Sequence, residues 1–236
     1  DTADRAVVVA STVSDSAHVE LLQLQDAARQ RADEVVTVLP YMGYGRQDEA
    51  FEPGQPVSAR AMARAISTGT DRVLTVNPHE ASITDFFDVP CSSVDAAGRL
   101  AEPLPELSNP LFLSPDAGAV DLAETVRDAH GGGEADYFEK VRHSDTEVEI
   151  RPNDATTAGR DVVLVDDIVA TGSTMSTAID QLSDPLRVFV TCVHPMLAAN
   201  ARTKLATAGV DAVYGTDTIE RAVSAVSAAP AIAEAL

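Results

Sequence analysis

Residues 162–174 read VVLVDDIVATGST, and this run decides the fold. Val162, Val163, Leu164 and Val165 are apolar on both faces, which suits a strand buried in a parallel sheet. Asp166 and Asp167 follow at its carboxyl end, and Ala170, Thr171, Gly172, Ser173 and Thr174 turn the chain into a helix. In open α/β sheets ligands bind at that end of the strands. A small turn at a helix N-terminus offers free N–H groups and a positive dipole to an anion. Gly172 is expected where backbone approaches the anion closely or adopts a turn closed to other residues. Two carboxylates beside a phosphate would repel it, so Asp166 and Asp167 should face sugar hydroxyls or a metal. The plain alternative is a strand followed by a capped helix. A Walker-type loop is excluded, because it needs Gly-Lys-Ser/Thr, whereas Lys140 precedes Val141 and Lys204 precedes Leu205.

Outward from this run, strand-like and helix-length segments alternate. Strands are expected at residues 5–10, 34–39, 72–76 and 90–94, with the first buried in its sheet. Helices are expected at residues 18–31 and at 58–67, the latter capped by Ser58. Residues 40–56 form a Gly/Pro-rich loop too long for a simple connection, and so a candidate for function. In the second half, strands are expected at 111–114, 161–165, 187–193 and 212–214. Helices are expected at 118–130, 173–182, 197–208 and 220–236. Residues 137–142 and 146–151 read as a hairpin or flap. Such alternation means α/β architecture with a mainly parallel sheet and helices on both faces. A domain boundary is expected near residues 96–105.

Composition narrows the function. The chain has 236 residues, 17 Lys+Arg against 37 Asp+Glu, and a net charge of −20. That excludes a nucleic-acid binder that coats phosphates with positive charge, while leaving phosphorylated small molecules open. A hydrophobic fraction of 45% is enough for a core. Only two of the basic residues are lysines, Lys140 and Lys204, and Trp is absent. An acid-rich, lysine-poor chain suits the cytosol of a halophile, where the Debye length falls to about 3 Å and self-repulsion is screened. Cys91 and Cys192 have no paired spacing, so neither a disulfide framework nor a zinc knuckle is indicated. No apolar run reaches the roughly 18 residues of a membrane span. A cytoplasmic protein is expected, and the start at Asp1 without Met is read as a missing N-terminal piece.

The 162–174 run resembles the phosphoribosyl-binding motif shared by type I phosphoribosyltransferases and the ribose-phosphate pyrophosphokinase family. Residues 41–60, YMGYGRQDEAFEPGQPVSAR, are similar to that kinase family's Tyr-Ala-Arg-Gln-Asp segment with its downstream Pro-Ile-Ser-Ala-Arg. Residues 77–90, NPHEASITDFFDVP, resemble its Asp-x-His…Phe-Phe-x-x-Pro segment. Residues 114–118, SPDAG, match its Ser-Pro-Asp-x-Gly, and residues 138–150, FEKVRHSDTEVEI, are similar to the archaeal form of its flexible catalytic loop. The resemblance departs at Asn77, usually Asp, at Gly45, usually Ala, and at Glu49, where a basic residue is common. The family also carries an earlier first strand and a Phe-x-Asp-Gly-Glu loop that reaches a neighbouring subunit's ATP.

What the resemblance implies is concrete. The fold would be two type I phosphoribosyltransferase-like α/β domains with mainly parallel sheets flanked by helices. Residues 1–97 would form the ATP-side domain, lacking its first strand, with the helix of residues 222–236 packed back on it. Residues 98–221 would form the ribose 5-phosphate side. Arg46, Gln47 and His79 would bind ATP, and His79 and Asp116 would bind Mg²⁺. Lys140 and Arg142, two apart on an extended segment and so on one face, would be catalytic. Asp166 and Asp167 would hold ribose hydroxyls, and Ala170, Thr171, Gly172, Ser173 and Thr174 the 5-phosphate. The implied reaction transfers pyrophosphate from ATP to the 1-hydroxyl of ribose 5-phosphate, in a homo-oligomer built from dimers, a hexamer among its forms. Two alternatives stand beside it: a phosphoribosyltransferase consuming the sugar diphosphate, and a non-catalytic subunit associated with the kinase.

Overall fold

The computed structural model describes residues 3–50, 52–142 and 148–236, without the side chains of residues 140–142 and 148–150. The chain divides into two compact units, residues 1–95 with 228–236, and residues 96–227.

In the first unit, β1 (Ala3–Val9), α1 (Asp15–Arg29), β2 (Ala32–Leu39), α2 (Ser58–Ser67), β3 (Arg72–Val76) and β4 (Cys91–Val94) follow in order. The strands pair in parallel as β1-β2-β3-β4. The core gathers Val35 and Leu39 of β2, Val73 of β3, Leu21 of α1, and Ala63 and Ile66 of α2. Helices covering β2 and β3 explain why those strands are nearly all apolar. The expectation that the first strand is buried needs correcting. Among the described residues β1 lies at the sheet edge, and Val7 and Val9 are 42% and 57% exposed while Val8 faces the core. Helix α1 begins three residues earlier than expected, because Ser14 Oγ accepts from Ala17 N–H and caps it. Ser58 is not a cap either. The N-cap of α2 is Val57, and the Ser58 hydroxyl donates instead to Gln47 Oε1.

In the second unit, β5 (Leu111–Ser114), α3 (Val120–His130), β6 (Glu134–Arg142), β7 (Val148–Pro152), β8 (Asp161–Ile168), α4 (Ser173–Asp180), β9 (Arg187–His194), α5 (Ala201–Thr207), β10 (Ala212–Thr216) and β11 (Ser224–Val226) follow. The order is β11-β10-β9-β8-β5-β6-β7, parallel except for the antiparallel β6/β7 hairpin. Leu113, Val162, Leu164 and Val190 pack with Met175 and Ile179 of α4 and Leu205 of α5. The single helix expected over residues 220–236 is absent. Ser224 Oγ accepts from Arg221 N–H, and Asp217 N–H donates to the Val226 carbonyl, so β11 forms. Local side-chain bonds of this kind compete with helix. Helix α6 (Ala229–Ala235) then starts beside Pro230 and lies in the first unit, where Arg72 Nη2 donates to the Ala235 carbonyl at 3.0 Å. No helix among the described residues is long and apolar enough to cross a membrane.

β8 is anchored at its start by Asp161, fully buried, which accepts from Arg187 Nε at 2.9 Å and from the Ser108 amide at 2.6 Å. The Arg187 hydrogen bond, opposed by burial, holds its carboxyl below the usual carboxylate range. A group with a depressed folded pKa stabilises the fold above its unfolded pKa, and that contribution is lost as pH falls through the folded value. Asp161→Asn is therefore expected to lower the urea midpoint at pH 7, with the deficit closing below about pH 4. Parallel midpoint-against-pH curves for parent and variant would contradict this.

Candidate active site

β8 lies between β5 and β9 and carries Asp166 and Asp167 at its carboxyl end. Pairing continues to Ile168 opposite His194, so both aspartates stand on the strand itself rather than in the loop after it. Successive strand residues face opposite sides, and the Asp166 carboxylate folds back to accept from the Asp167 amide at 2.9 Å. Both are half-buried. The Asp166 pKa is pushed up, first by burial and then by the charge of Asp167, with a smaller push from Asp116. Asp116 is exposed and caps the short 3₁₀ turn Ala117–Ala119, accepting from the Gly118 amide at 2.9 Å. Three carboxylates thus share one corner of this unit.

The turn after β8 is fixed by main-chain bonds. Val169 N–H donates to the His194 carbonyl at 3.2 Å, and the Val169 and Ala170 carbonyls accept from Leu197 and Ala198 at 2.9 and 2.8 Å. Gly172 has φ +72°, and a Cβ there would meet the Ala201 carbonyl at 3.3 Å and Leu205 Cγ at 3.4 Å. The glycine is thus required by the left-handed turn and by the approach of α5. Thr171, Ser173 and Thr174 are exposed, with Thr171 Oγ1 and Ser173 Oγ 3.1 Å apart. The first amides of α4 open at the turn without intrahelical partners, as at any helix start. One contact was not foreseen: Lys204 Nζ on α5 donates to Ser173 Oγ at 2.7 Å. Its signal in the sequence is scarcity, one of two lysines among 17 basic residues.

In the first unit, Arg46 and Gln47 lie in the loop between β2 and α2. The loop's entry is tight. A Cβ on Gly43 would stand 2.0 Å from the Thr12 carbonyl, and the Gly43 amide donates to Thr12 Oγ1 at 2.9 Å. Arg46 is exposed and makes no hydrogen bond or ion pair among the described residues. Gln47 is different: its Nε2 donates to the Pro56 carbonyl at 3.2 Å and its Oε1 accepts from Ser58. The amide braces the loop, leaving one N–H and one lone pair for a ligand. His79 is exposed in the loop after β3, which starts at Asn77 with φ +34°. Asn tolerates positive φ better than most residues, and its Nδ2 donates to Asp95 at 2.8 Å.

Lys140 and Arg142 stand on β6 opposite Ile150 and Val148. Their side chains lie outside the described residues, as do residues 143–147 of the expected flap.

Among the described residues no three His, Cys, Asp or Glu side chains stand in a ready metal-binding array. Mg²⁺ is commonly held by one or two carboxylates together with substrate phosphates and waters rather than by an all-protein cage. Asp116, the exposed carboxylate of the corner it shares with Asp166 and Asp167, is a hard oxygen donor of the kind such an ion takes.

Comparison with known proteins takes the site further. Residues 2–69 match the N-terminal domain of ribose phosphate pyrophosphokinase, and residues 92–220 match the phosphoribosyl transferase domain. The chain is 68% identical to a ribose-phosphate pyrophosphokinase of Halobacterium salinarum, over 99% of this chain and 84% of that protein. The chain belongs to the ribose-phosphate pyrophosphokinase family. Within it, a Methanosarcina acetivorans relative is 44% identical, over 99% of this chain and 82% of its own length. The crystal structure of phosphoribosylpyrophosphate synthetase from Mycobacterium smegmatis superposes with a TM-score of 0.78 at 26% identity, covering 98% of this chain and 80% of that one. The family's architecture of two phosphoribosyltransferase-like α/β domains is the one seen here.

Proposed function

We propose that the chain transfers pyrophosphate from ATP to the 1-hydroxyl of D-ribose 5-phosphate, giving 5-phospho-α-D-ribose 1-diphosphate and AMP. The observation that carries this reading is the 68% identity over nearly the whole chain to a ribose-phosphate pyrophosphokinase. A match of residues 2–69 to that kinase's N-terminal domain favours it over a phosphoribosyltransferase. Lys140, Arg142 and Asp167 are all present, which disfavours a non-catalytic subunit.

In this reading the turn of Ala170, Thr171, Gly172, Ser173 and Thr174 receives the 5-phosphate on the first amides and hydroxyls of α4. Asp166 and Asp167 hold the ribose hydroxyls, since carboxylates accept from hydroxyls and repel phosphate. Arg46 and Gln47 hold ATP, and the free guanidinium of Arg46 can stack on adenine or fork onto phosphate. The 1-hydroxyl attacks the β-phosphorus, its proton is released, and the bond to the α-phosphate breaks with AMP as leaving group. Positioning and charge stabilisation carry the rate, with Lys140 and Arg142 on the transferring group. When bound, Mg²⁺ would neutralise polyphosphate charge; His79 is proposed as a metal ligand in the first unit, and Asp116 is proposed separately as one in the second. We place the enzyme in the cytoplasm, salt-adapted, as a homo-oligomer built from dimers.

A coupled assay should show Mg²⁺-dependent AMP formation that requires ribose 5-phosphate. Pyrophosphate release from the sugar diphosphate on adding a purine or orotate, with no AMP formed, would sink the reading. Asp167→Asn keeps the shape and some hydrogen bonding, so turnover should fall about 10-fold or more, as a lost charge-assisted bond predicts. Preference for ribose 5-phosphate over its 2-deoxy analogue should shrink as well. An unchanged preference in calorimetric titrations would remove the hydroxyl assignment.

A further inference from the structure

Lys204 is half-buried on α5, and its Nζ–H donates to Ser173 Oγ at 2.7 Å. No carboxylate pairs with it among the described residues, although the chain carries 37 of them. A cation without a counter-ion in a chain of net charge −20 stands at the lip of a turn whose other groups are amides and hydroxyls. Its placement depends on more than a long flexible stem. The Ala198 amide holds the Ala170 carbonyl at 2.8 Å, and the missing side chain of Gly172 lets Ala201 and Leu205 of α5 close on the turn. The base of Lys204 is therefore set by backbone.

The bond has a chemical direction. An ammonium only donates, so it occupies a lone pair of Ser173 Oγ and leaves that hydroxyl's own proton to be given elsewhere. Thr171 Oγ1, at 3.1 Å, is one acceptor. An arriving phosphate oxygen is a stronger one, because charge-assisted bonds are about twice as strong as neutral ones. Two N–H groups of Lys204 remain for the same anion.

We infer that Lys204 is a positioning residue for the 5-phosphate, orienting the Ser173 hydroxyl toward it and supplying the positive charge that the turn itself lacks. The inference rests on the reaction proposed above. The 5-phosphate does not change during that reaction, so the interaction is equal in ground and transition states and should appear in KM rather than kcat.

The test is steady-state kinetics on the full chain with Mg²⁺ and ATP, for the parent and for Lys204→Met, Lys204→Gln and Lys204→Arg. Loss of a charged hydrogen bond should raise the ribose 5-phosphate KM of Lys204→Met by about 10–100-fold, with kcat and the ATP KM nearly unchanged. Lys204→Arg keeps the charge and should recover most of the loss. Lys204→Gln keeps a donor for Ser173 without charge and should stay near the methionine value. A ribose 5-phosphate KM within about 3-fold of the parent in Lys204→Met overturns the inference, as does rescue by Gln equal to rescue by Arg, which would mark a neutral helix-to-turn staple. If Lys204→Met does not fold, the Gln and Arg pair decides alone. No sugar-phosphate-dependent AMP formation by the parent overturns the proposed reaction and this inference together, whereas an active parent with an indifferent Lys204 overturns only the inference.

Discussion

Gly172→Val should lower ribose 5-phosphate affinity by about 100-fold or more, since losing one or two charge-assisted hydrogen bonds costs about 1.5–3 kcal/mol each. At φ +72° a residue with a Cβ carries a penalty of about 1–2 kcal/mol, and β-branching makes it worse. The side chain would also start 3.3 Å from the Ala201 carbonyl and 3.4 Å from Leu205 Cγ, before its two methyl groups are placed. Either the turn opens or α5 retreats, and both movements misplace Thr171, Ser173 and the first amides of α4. ATP affinity should stay close to the parent's, because Arg46 and Gln47 belong to the other unit. Gly172→Ala keeps the φ penalty but little of the overpacking and should fall between. Calorimetric titration with each ligand checks the ordering. Valine and parent binding the sugar phosphate alike would mean that this turn does not hold it.

Lys140→Ala is the second large effect: kcat should drop by about 10²–10³-fold while the ribose 5-phosphate KM hardly moves. This follows if Lys140 serves, as proposed, the charge that develops on the transferring group, because such a contact is used only in the transition state and its loss appears only in turnover. Lys140→Arg should recover part of the rate, since the charge returns with a different shape. Rapid-quench measurement of AMP formed in a single turnover separates this from slow product release. A pure rise in the sugar-phosphate KM would move Lys140 from the chemistry to binding.

Much of the fold and of the candidate site was legible because the relevant signals are local. β3 and β5 fall at the expected residues, since short apolar runs between turn residues leave little choice. β8 and its turn were readable from one thirteen-residue run. What escaped depends on neighbours. RAVVVA cannot say whether a strand has one partner or two, so β1 was expected in the interior and, among the described residues, lies at an edge. Ser58 looked like a cap until its hydroxyl found Gln47, eleven residues away. The reason for Gly172 was only half visible, because α5 comes about thirty residues later in the chain. Lys204 escaped for the same reason, since among the described residues its ammonium bonds to Ser173 across that gap.

The outer edge of β1 has a colloidal consequence for these 236 residues taken alone. Among the described residues nothing pairs with that edge, and Val7 and Val9 lie exposed along it. An unpaired edge is a template for another extended chain. In dilute buffer, molecules of charge −20 keep one another away from it by long-range repulsion. In molar salt that repulsion is cut off within about 3 Å, while the attraction between apolar surfaces persists. The Halobacterium salinarum relative is longer, this chain covering 84% of it; a preparation of these residues alone is the one expected to associate through β1 in brine, and any segment that pairs with β1 removes that tendency.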